Sequence, residues 1–443
     1  EKRSFICGEK YIMPELEEVP TAPWWEWLGL SAIACASFWC QATVTEDRLV
    51  PALNVIAHYY NIPDDIAGAT LMAAGASSPE LFSSFVALFV THSSLGLGTI
   101  VGSEIFNQLV ICAGAVYSSK TGKLELDRAI LIREVGFYGL SIILLYISLQ
   151  DVEPIDDDTL NNHIYVSFWE ACMLVAGYIL YVIVCANMND IVDFFSSFTS
   201  SRENPAMRPT GPEYGAIVEL EQGEEEQAGH NLESHVDLMI FPSNTSKLNI
   251  IFWLSLLPLR FLLQYTVPDV LKVDRDGDSK SAVRFAYFST FMCLVWLIIG
   301  SYAMVASLER LAELMDIPDA VIGFTVSAAG TSLPNYIASK IAAEKGFGNQ
   351  AVSNAFGSNT FNIMVGLGLP WMLYTSFGTG FKPYHGLPAE GILESILILA
   401  VVLLVFVVLM IFTGCVVYKW HGNLFLILYC CYIAFAIGQV YLG

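Results

Sequence analysis

Residues 73–80 read AAGASSPE and residues 328–335 read AAGTSLPN, so one pattern of small residues followed by proline occurs twice. Each copy follows an Ile-Pro-Asp triplet, at residues 62–64 and at residues 317–319. Every matched pair of residues is offset by about 255 positions, with no gap between the copies. Agreement of this kind indicates an internal repeat, in which two halves of the chain form the same structural unit.

A second matched stretch extends the repeat. Residues 102–107 read GSEIFN and residues 357–362 read GSNTFN, at the same offset. In each copy a serine and an asparagine are four positions apart, which places both side chains on one face of a helix. The two pairs are Ser103 with Asn107 and Ser358 with Asn362.

The composition is that of a membrane protein. Of the 443 residues, 55% are hydrophobic and 14% are charged, and the mean hydropathy is +0.55, whereas soluble domains carry about 25% charged residues. Apolar runs of about 20 residues recur, the length that a helix needs to cross a bilayer. Lipid offers the backbone no hydrogen bonds, so these runs must be helical. Ten spans are predicted, at about 27–57, 63–90, 97–118, 129–149, 164–186, 282–308, 318–343, 350–376, 387–413 and 422–442.

The two halves are predicted to be inverted relative to each other. Each half has five spans, and an odd number of crossings makes the second half enter the membrane from the opposite side. The predicted fold is therefore all-α and integral to the membrane, with ten transmembrane helices in two inverted five-helix repeats. An interrupted apolar segment near 248–266 predicts an interfacial helix, with an eleventh span as the alternative. The predicted parts are an extracellular segment 1–26, a first repeat 27–186, a cytoplasmic loop 187–281 that contains the interfacial helix, and a second repeat 282–443.

Basic residues predict the orientation. Lys120, Lys123, Arg128 and Arg133 flank the junction between the third and fourth spans, and Lys419 lies between the ninth and tenth. Basic residues favour the cytoplasmic side, so both termini are predicted to be extracellular. We expect a multi-pass protein of the plasma membrane.

The kinked motifs predict a cation site. Glycine and proline inside a spanning helix remove backbone hydrogen bonds, so residues 75–79 and 330–334 are expected to be kinked or unwound. The exposed carbonyl and hydroxyl oxygens suit hard cations such as Na⁺ and Ca²⁺. Glu80 follows the first kink, and a carboxylate at the bilayer centre costs about 3 kcal/mol, so we predict that it is the main ligand of Ca²⁺ or Na⁺. The other predicted ligands are Ala76, Ser77, Thr331, Ser332 and Asn335 in the central site, with flanking contacts from Ser103, Asn107, Ser358 and Asn362.

Simpler interpretations of these residues remain open. The kinks could serve only the packing of small residues at a helix crossing, and Glu80 could be a protonated, hydrogen-bonded structural residue. Glu104 is a second intramembrane carboxylate, one residue away from the face that carries Ser103 and Asn107. It either reaches the ion cavity or pairs with another helix.

The sequence resembles the potassium-dependent sodium/calcium exchangers in both repeats. The first repeat carries the resemblance at residues 67–82, which read AGATLMAAGASSPELF, and at residues 98–103, which read GTIVGS. The second repeat carries it at residues 328–332, 351–354 and 365–371, which read AAGTS, AVSN and VGLGLPW. The resemblance implies exchange of Na⁺ for Ca²⁺ together with K⁺ by alternating access.

The chain departs from the pattern of that family at two positions. The resemblance implies an acid in each repeat for Ca²⁺, at Glu80 and at the position of Asn335, and a further acid for K⁺ at the position of Asn362. Both asparagines keep an oxygen but lose the charge, and the number of carboxylates tunes Ca²⁺ affinity. Three interpretations stay open: Glu104 restores the charge, the site has shifted toward monovalent ions, or transport is lost. The Asn362 change alone predicts weak K⁺ dependence.

Several other functions are not supported by the sequence. The net charge of −22 argues against a nucleic-acid partner. The sequence has no glycine-rich phosphate loop, the motif that would indicate ATP-driven pumping. We therefore expect no enzyme activity and no cofactor, with small cations and membrane lipid as the partners, and leave protein partners or a homodimer open. The competing class is a non-transporting membrane subunit or scaffold that keeps the exchanger fold.

Overall fold

A computed structural model describes residues 23–62, 68–150, 152–154, 162–188, 191, 238–239, 241, 247–271, 279–378, 380–388 and 392–442. Most of the predicted segment 1–26, most of the loop 187–281, and the Pro63-Asp64 part of the first motif lie outside these residues. The described chain is mostly helical. Its helices are α1 (Trp24–Tyr59), α2 (Thr70–Ala76), α3 (Ser78–Thr91), α4 (Leu95–Ser118), α5 (Arg128–Ser148), α6 (Phe168–Ala186), α7 (Lys247–Ser255), α8 (Leu257–Thr266), α9 (Ser279–Met315), α10 (319–331), α11 (Leu333–Lys345), α12 (348–378), α13 (Ile392–Thr413) and α14 (Lys419–Leu442).

The prediction of an all-α chain did not include five short strands. These strands are β1 (Lys123–Glu125), β2 (Val152–Pro154), β3 (Asn162–Val166), β4 (Tyr384–Pro388) and β5 (Val416–Tyr418). β1 pairs antiparallel with β5, and β2, β3 and β4 form a three-stranded antiparallel sheet. Each sheet joins a connection from the first half of the chain to one from the second half. The strands are short and their partners lie far away in sequence, so local pattern gives no sign of them.

Seven described helices are long and apolar enough to cross a membrane, and an eighth span results if α2 and α3 count as one bent crossing. The chain is therefore a multi-pass membrane protein. The predicted spans at 318–343 and 350–376 are also helical, as α10 with α11 and as α12. They do not reach the same standard of length and apolarity, because polar side chains and helix breaks interrupt them.

The segment predicted to be an interfacial helix is two helices in the structure. α7 ends at Ser255 and α8 begins at Leu257, with Pro258 in its first turn. Proline has no N–H for the preceding turn, so it fits a helix start and interrupts a continuing helix. Leu263 of α8 is buried against Val44 of α1 and Leu297 of α9. Helix α8 thus packs on the two longest of the described helices.

Helix α4 lies at the centre of the fold, where every residue from Leu95 to Phe106 is buried. It packs directly on the backbone of α10. A Cβ atom placed on Gly98 would lie 2.6 Å from the carbonyl oxygen of Ala320, and one on Gly102 would lie 2.5 Å from that of Phe324. These two glycines therefore allow a helix of one half to touch a helix of the other half through the backbone.

We expect Gly102→Ala to destabilise the protein markedly more than Gly136→Ala. The added methyl at position 102 would overlap the α10 backbone, and overpacking of this kind costs about 1–3 kcal/mol. A Cβ atom on Gly136 of α5 meets no atom within 4 Å, so this variant is the matched control. Thermal unfolding in detergent measures the difference, and equal stabilities would contradict the close α4–α10 contact.

Candidate cation site

Two helix breaks stand at matching positions of the repeat. α2 and α3 are separated at Ser77 and differ in direction by 59°. α10 and α11 are separated at Ser332. Pro79 and Pro334 lie in the first turn of the helix that follows each break, and neither has an N–H to continue the preceding turn. The predicted kinks are therefore present in both copies.

Ser358 of α12 joins the two breaks. Its Oγ atom lies 2.8 Å from Oγ of Ser77, and Nδ2 of Asn335 donates to it over 2.9 Å. This contact uses the amide nitrogen of Asn335 and leaves its Oδ1 atom, which is buried, without a hydrogen-bond partner among the described residues. The three side chains come from the α2–α3 break, α11 and α12, so this cluster exists only in the folded protein.

Glu80 lies beside this cluster, in the first turn of α3, and its side chain is 0% exposed. Its Oε1 atom accepts a hydrogen bond from Oγ of Ser332 over 3.3 Å. Within the described part of the chain, Oε2 has no hydrogen-bond partner and no ion pair includes this carboxylate. A buried carboxylate oxygen without a partner costs free energy unless a ligand or another group satisfies it.

A second chain of hydrogen bonds links α4 to α12. Nδ2 of Asn107 donates to Oδ1 of Asn359 over 2.9 Å, and Nδ2 of Asn359 donates to the backbone carbonyl of Glu104 over 3.1 Å. The Oδ1 atom of Asn107 is left buried and has no partner in the described structure. Asn359 is not among the ligands predicted from the sequence, although it occupies the repeat position that corresponds to Glu104. That equivalence was the available signal.

Other predicted ligands are less directly connected. The Ser103 hydroxyl donates to the carbonyl of Ile100 over 2.8 Å, and the Thr331 hydroxyl donates to that of Ser327 over 3.0 Å, so each is used by its own helix. Ala76, the last residue of α2, has no polar side chain to offer. Both amide atoms of Asn362 are buried and lack hydrogen-bond partners among the residues described.

Several buried oxygens therefore lack a hydrogen bond of regular geometry to any described residue. They include Oε2 of Glu80, both carboxylate oxygens of Glu104, and the Oδ1 atoms of Asn107, Asn335 and Asn362. Hard oxygens of this kind suit Na⁺, K⁺ and Ca²⁺. The described residues contain no group of three or more His, Cys, Asp or Glu side chains arranged to hold a metal ion.

A small cavity lies next to the start of α4. Its lining includes Ser84 and Leu88 of α3, and Trp371 of α12. Ser84 is one helical turn beyond Glu80, on the same face of α3. The cavity therefore begins about one helical turn from Glu80 along α3.

Comparison with known proteins identifies the family. The family model described as sodium/calcium exchanger protein matches residues 30–187 and 285–438. Sodium/potassium/calcium exchanger 2 of Rattus norvegicus is 28% identical, over 90% of this chain and 76% of its own length. Sodium/potassium/calcium exchanger 5 of Homo sapiens is 30% identical, over 78% of this chain and 70% of its own length.

The fold is similar to that of a solved structure. The crystal structure of the H⁺/Ca²⁺ exchanger CAX aligns with 94% of this chain and 86% of its own, with a TM-score of 0.54 at 10% identity. A structure of the sodium-calcium exchanger NCX_Mj aligns with 91% of this chain and 98% of its own, with a TM-score of 0.48 at 20% identity. The likeness to CAX supports an all-helical membrane exchanger fold. On the two matched segments of the family model, the chain belongs to the sodium/calcium exchanger protein family.

Proposed function

We propose that the chain is a secondary-active antiporter that exchanges Na⁺ for Ca²⁺ at one site near the middle of the membrane. The observation that carries this proposal is Glu80, whose buried carboxylate has one oxygen bonded to Ser332 and the other without a partner in the described structure. It lies where the two matched helix breaks meet, and discontinuous helices are the usual binding elements of such transporters. The curated relatives named above are sodium/potassium/calcium exchangers by their names.

The proposed topology is ten membrane crossings in two inverted halves, with both termini extracellular in the plasma membrane. The strand pairings support it. The connection between α4 and α5 pairs with that between α13 and α14 through β1 and β5, and the topology assigns both to the cytoplasmic side. Similarly, β3 pairs with β4, and both would be extracellular.

The proposed moving part consists of α1 and α9, which slide or rock against the rest. They pack on each other along their length, through Ala34 with Val305 and Leu308 and through a hydrogen bond of 3.4 Å from Ser301 to Gln41. Small shifts of such a pair could uncover the Glu80 site first on one side of the membrane and then on the other. The cavity at Ser84 would be the extracellular approach in the state described here.

The ion selectivity follows from the loss of two acids. A Ca²⁺ ion held by Glu80 and neutral oxygens from Ser77, Ser332 and Asn335 is only half neutralised by this site, which weakens its binding in a low-dielectric interior. We propose an exchanger with reduced Ca²⁺ affinity, in which Na⁺ competes well. A site shifted entirely to monovalent ions is the alternative within the same mechanism.

The test is Ca²⁺ uptake into liposomes that contain the purified chain. Vesicles loaded with Na⁺ are diluted into medium with ⁴⁵Ca²⁺ and either choline or Na⁺. Uptake that needs the outward Na⁺ gradient supports the antiporter. Absence of flux of any cation, from protein that is folded and oriented in the bilayer, would favour the non-transporting scaffold.

We expect the Na⁺-driven Ca²⁺ uptake to continue unchanged when K⁺ is removed from both sides. Asn362 offers an amide where the resemblance implies an acid, so a K⁺ ion would gain little binding energy there. The same assay with K⁺ replaced by choline measures this effect. Asn362→Asp is the matched variant and should gain K⁺ dependence, and an uptake by the unaltered chain that stops without K⁺ would contradict the prediction.

A further inference from the structure

Glu104 is the buried acid that the central site does not use. It lies in α4 at 0% exposure, and neither carboxylate oxygen has a hydrogen bond of regular geometry to a described residue. No described ion pair includes it. A bare carboxylate in the core of a membrane protein needs a counter-charge or a proton, so its surroundings decide what it binds.

The surroundings of Glu104 are polar and come from two other helices. The side chain of Tyr138, in α5, lies next to the Glu104 carboxyl and to Asn359 of α12. The Tyr138 hydroxyl is buried and has no hydrogen bond of regular geometry to any described residue. Gln108, one turn farther along α4 and on the same face, is 0% exposed and has both amide atoms unpartnered within the described chain.

This group of residues is distinct from the central cluster. The central cluster consists of Glu80, Ser77, Ser332, Asn335 and Ser358, joined by their own hydrogen bonds. The described structure contains no hydrogen bond between these side chains and the carboxylate of Glu104. The two carboxyl groups are nevertheless close enough to repel each other.

We propose that Glu104, Tyr138 and Gln108 form a second cation site, which takes a monovalent alkali ion, Na⁺ or K⁺. The site offers one negative charge and two neutral oxygens, which balances a single positive charge; a divalent ion there would keep half of its charge uncompensated. Glu80 and Glu104 then carry two negative charges between them. Two monovalent ions, one at each carboxylate, or one divalent ion at the central site neutralise them. This inference rests on the proposed function for its role in transport, but the site itself does not.

The test measures cation-dependent stability of the purified full-length chain, so that it does not depend on flux. Thermal unfolding in detergent is followed in Ca²⁺-free buffer with NaCl, KCl or choline chloride at equal ionic strength. A bound cation raises the unfolding temperature of the folded state. The variants are Glu80→Gln, Glu104→Gln, the double variant and Tyr138→Phe. Glu134→Gln is the control, because that buried carboxylate already pairs with Arg133 at 2.7 Å.

We expect Glu80→Gln to keep part of the stabilisation by Na⁺ or K⁺ relative to choline, and the double variant to lose all of it. Tyr138→Phe should raise the cation concentration for half-maximal stabilisation by about fivefold, the effect of one lost neutral ligand. Glu134→Gln should leave the cation-dependent shift unchanged. The comparison of NaCl with KCl identifies the preferred ion.

Two results would overturn the second site. One is loss of all cation-dependent stabilisation in Glu80→Gln alone. The other is a Glu104→Gln variant with the full response, which would make Glu104 a protonated structural group. Neither result bears on the proposed antiporter, which stands if the liposome assay shows Na⁺-driven Ca²⁺ uptake. Conversely, if cation-dependent stabilisation depends on Glu104 but the chain transports no Ca²⁺, the second site is supported and the antiporter function is contradicted.

Discussion

Replacing Glu80 with glutamine should lower Na⁺-driven Ca²⁺ uptake by about 100-fold or more, because removing one member of a buried charge pair costs about 3–5 kcal/mol. The amide has the same shape and can still accept the hydrogen bond that Ser332 donates over 3.3 Å. The loss would therefore reflect the missing charge. Initial rates of ⁴⁵Ca²⁺ uptake in liposomes measure it, with protein amount and folding checked by size-exclusion chromatography.

Glu394→Gln is the control for this prediction. Glu394 lies in the first turn of α13 and is exposed on the surface of the fold, so it tests whether loss of any carboxylate from an apolar run affects uptake. Uptake by Glu394→Gln should equal that of the unaltered chain. Equal uptake by Glu80→Gln would contradict the assignment of Glu80 as the main ligand.

Asn335→Asp should lower the Ca²⁺ concentration for half-maximal uptake by about tenfold or more, since each added carboxylate raises Ca²⁺ affinity. The Oδ1 atom of Asn335 is buried and has no partner in the described structure. The Ser358 hydroxyl that now accepts from Nδ2 can turn and donate to the new carboxylate. A second charge would then face the ion with the side chain in its present position.

Asn354→Asp is the matched control for the added charge. Nδ2 of Asn354 donates to the backbone carbonyl of Asn335 over 3.2 Å and to Oγ of Ser339 over 2.9 Å, so it links the same two helices without an oxygen in the site. The Asn354→Asp variant should therefore not raise the Ca²⁺ affinity. An unchanged or higher half-saturating concentration in Asn335→Asp would mean that the amide is not what sets the affinity.

The fold was largely predictable because the signals that determine it are local. Apolar runs predicted the helices, and the Gly-Ser-Pro pattern predicted breaks that the structure has at Ser77 and Ser332. The five strands were missed, since each is three to five residues long and pairs with a partner distant in sequence. The prediction from hydrophobicity also treated all ten spans as similarly apolar. Helices α10 to α12 are less apolar than the others, because they carry polar residues of the site.

The site was predictable in composition but not in connectivity. The repeat indicated Glu80 and its neighbours, yet the sequence gives no distance between α3 and α12, so the contact of Ser77 with Ser358 came only from the structure. Tyr138 was missed because a tyrosine in an apolar run normally serves packing. Its place beside Glu104 depends on how α4 and α5 pack.

The central claim is that one site faces each side of the membrane in turn, and trans-stimulated Ca²⁺ efflux tests it most directly. Liposomes that contain the protein are loaded with ⁴⁵Ca²⁺ and diluted into medium with Na⁺, unlabelled Ca²⁺ or choline alone. We predict efflux into Na⁺ and into Ca²⁺ but not into choline, because the empty site, with its bare carboxylates, does not reorient readily. Equal efflux into all three media would indicate a channel, and retention of ⁴⁵Ca²⁺ in all three would contradict transport altogether.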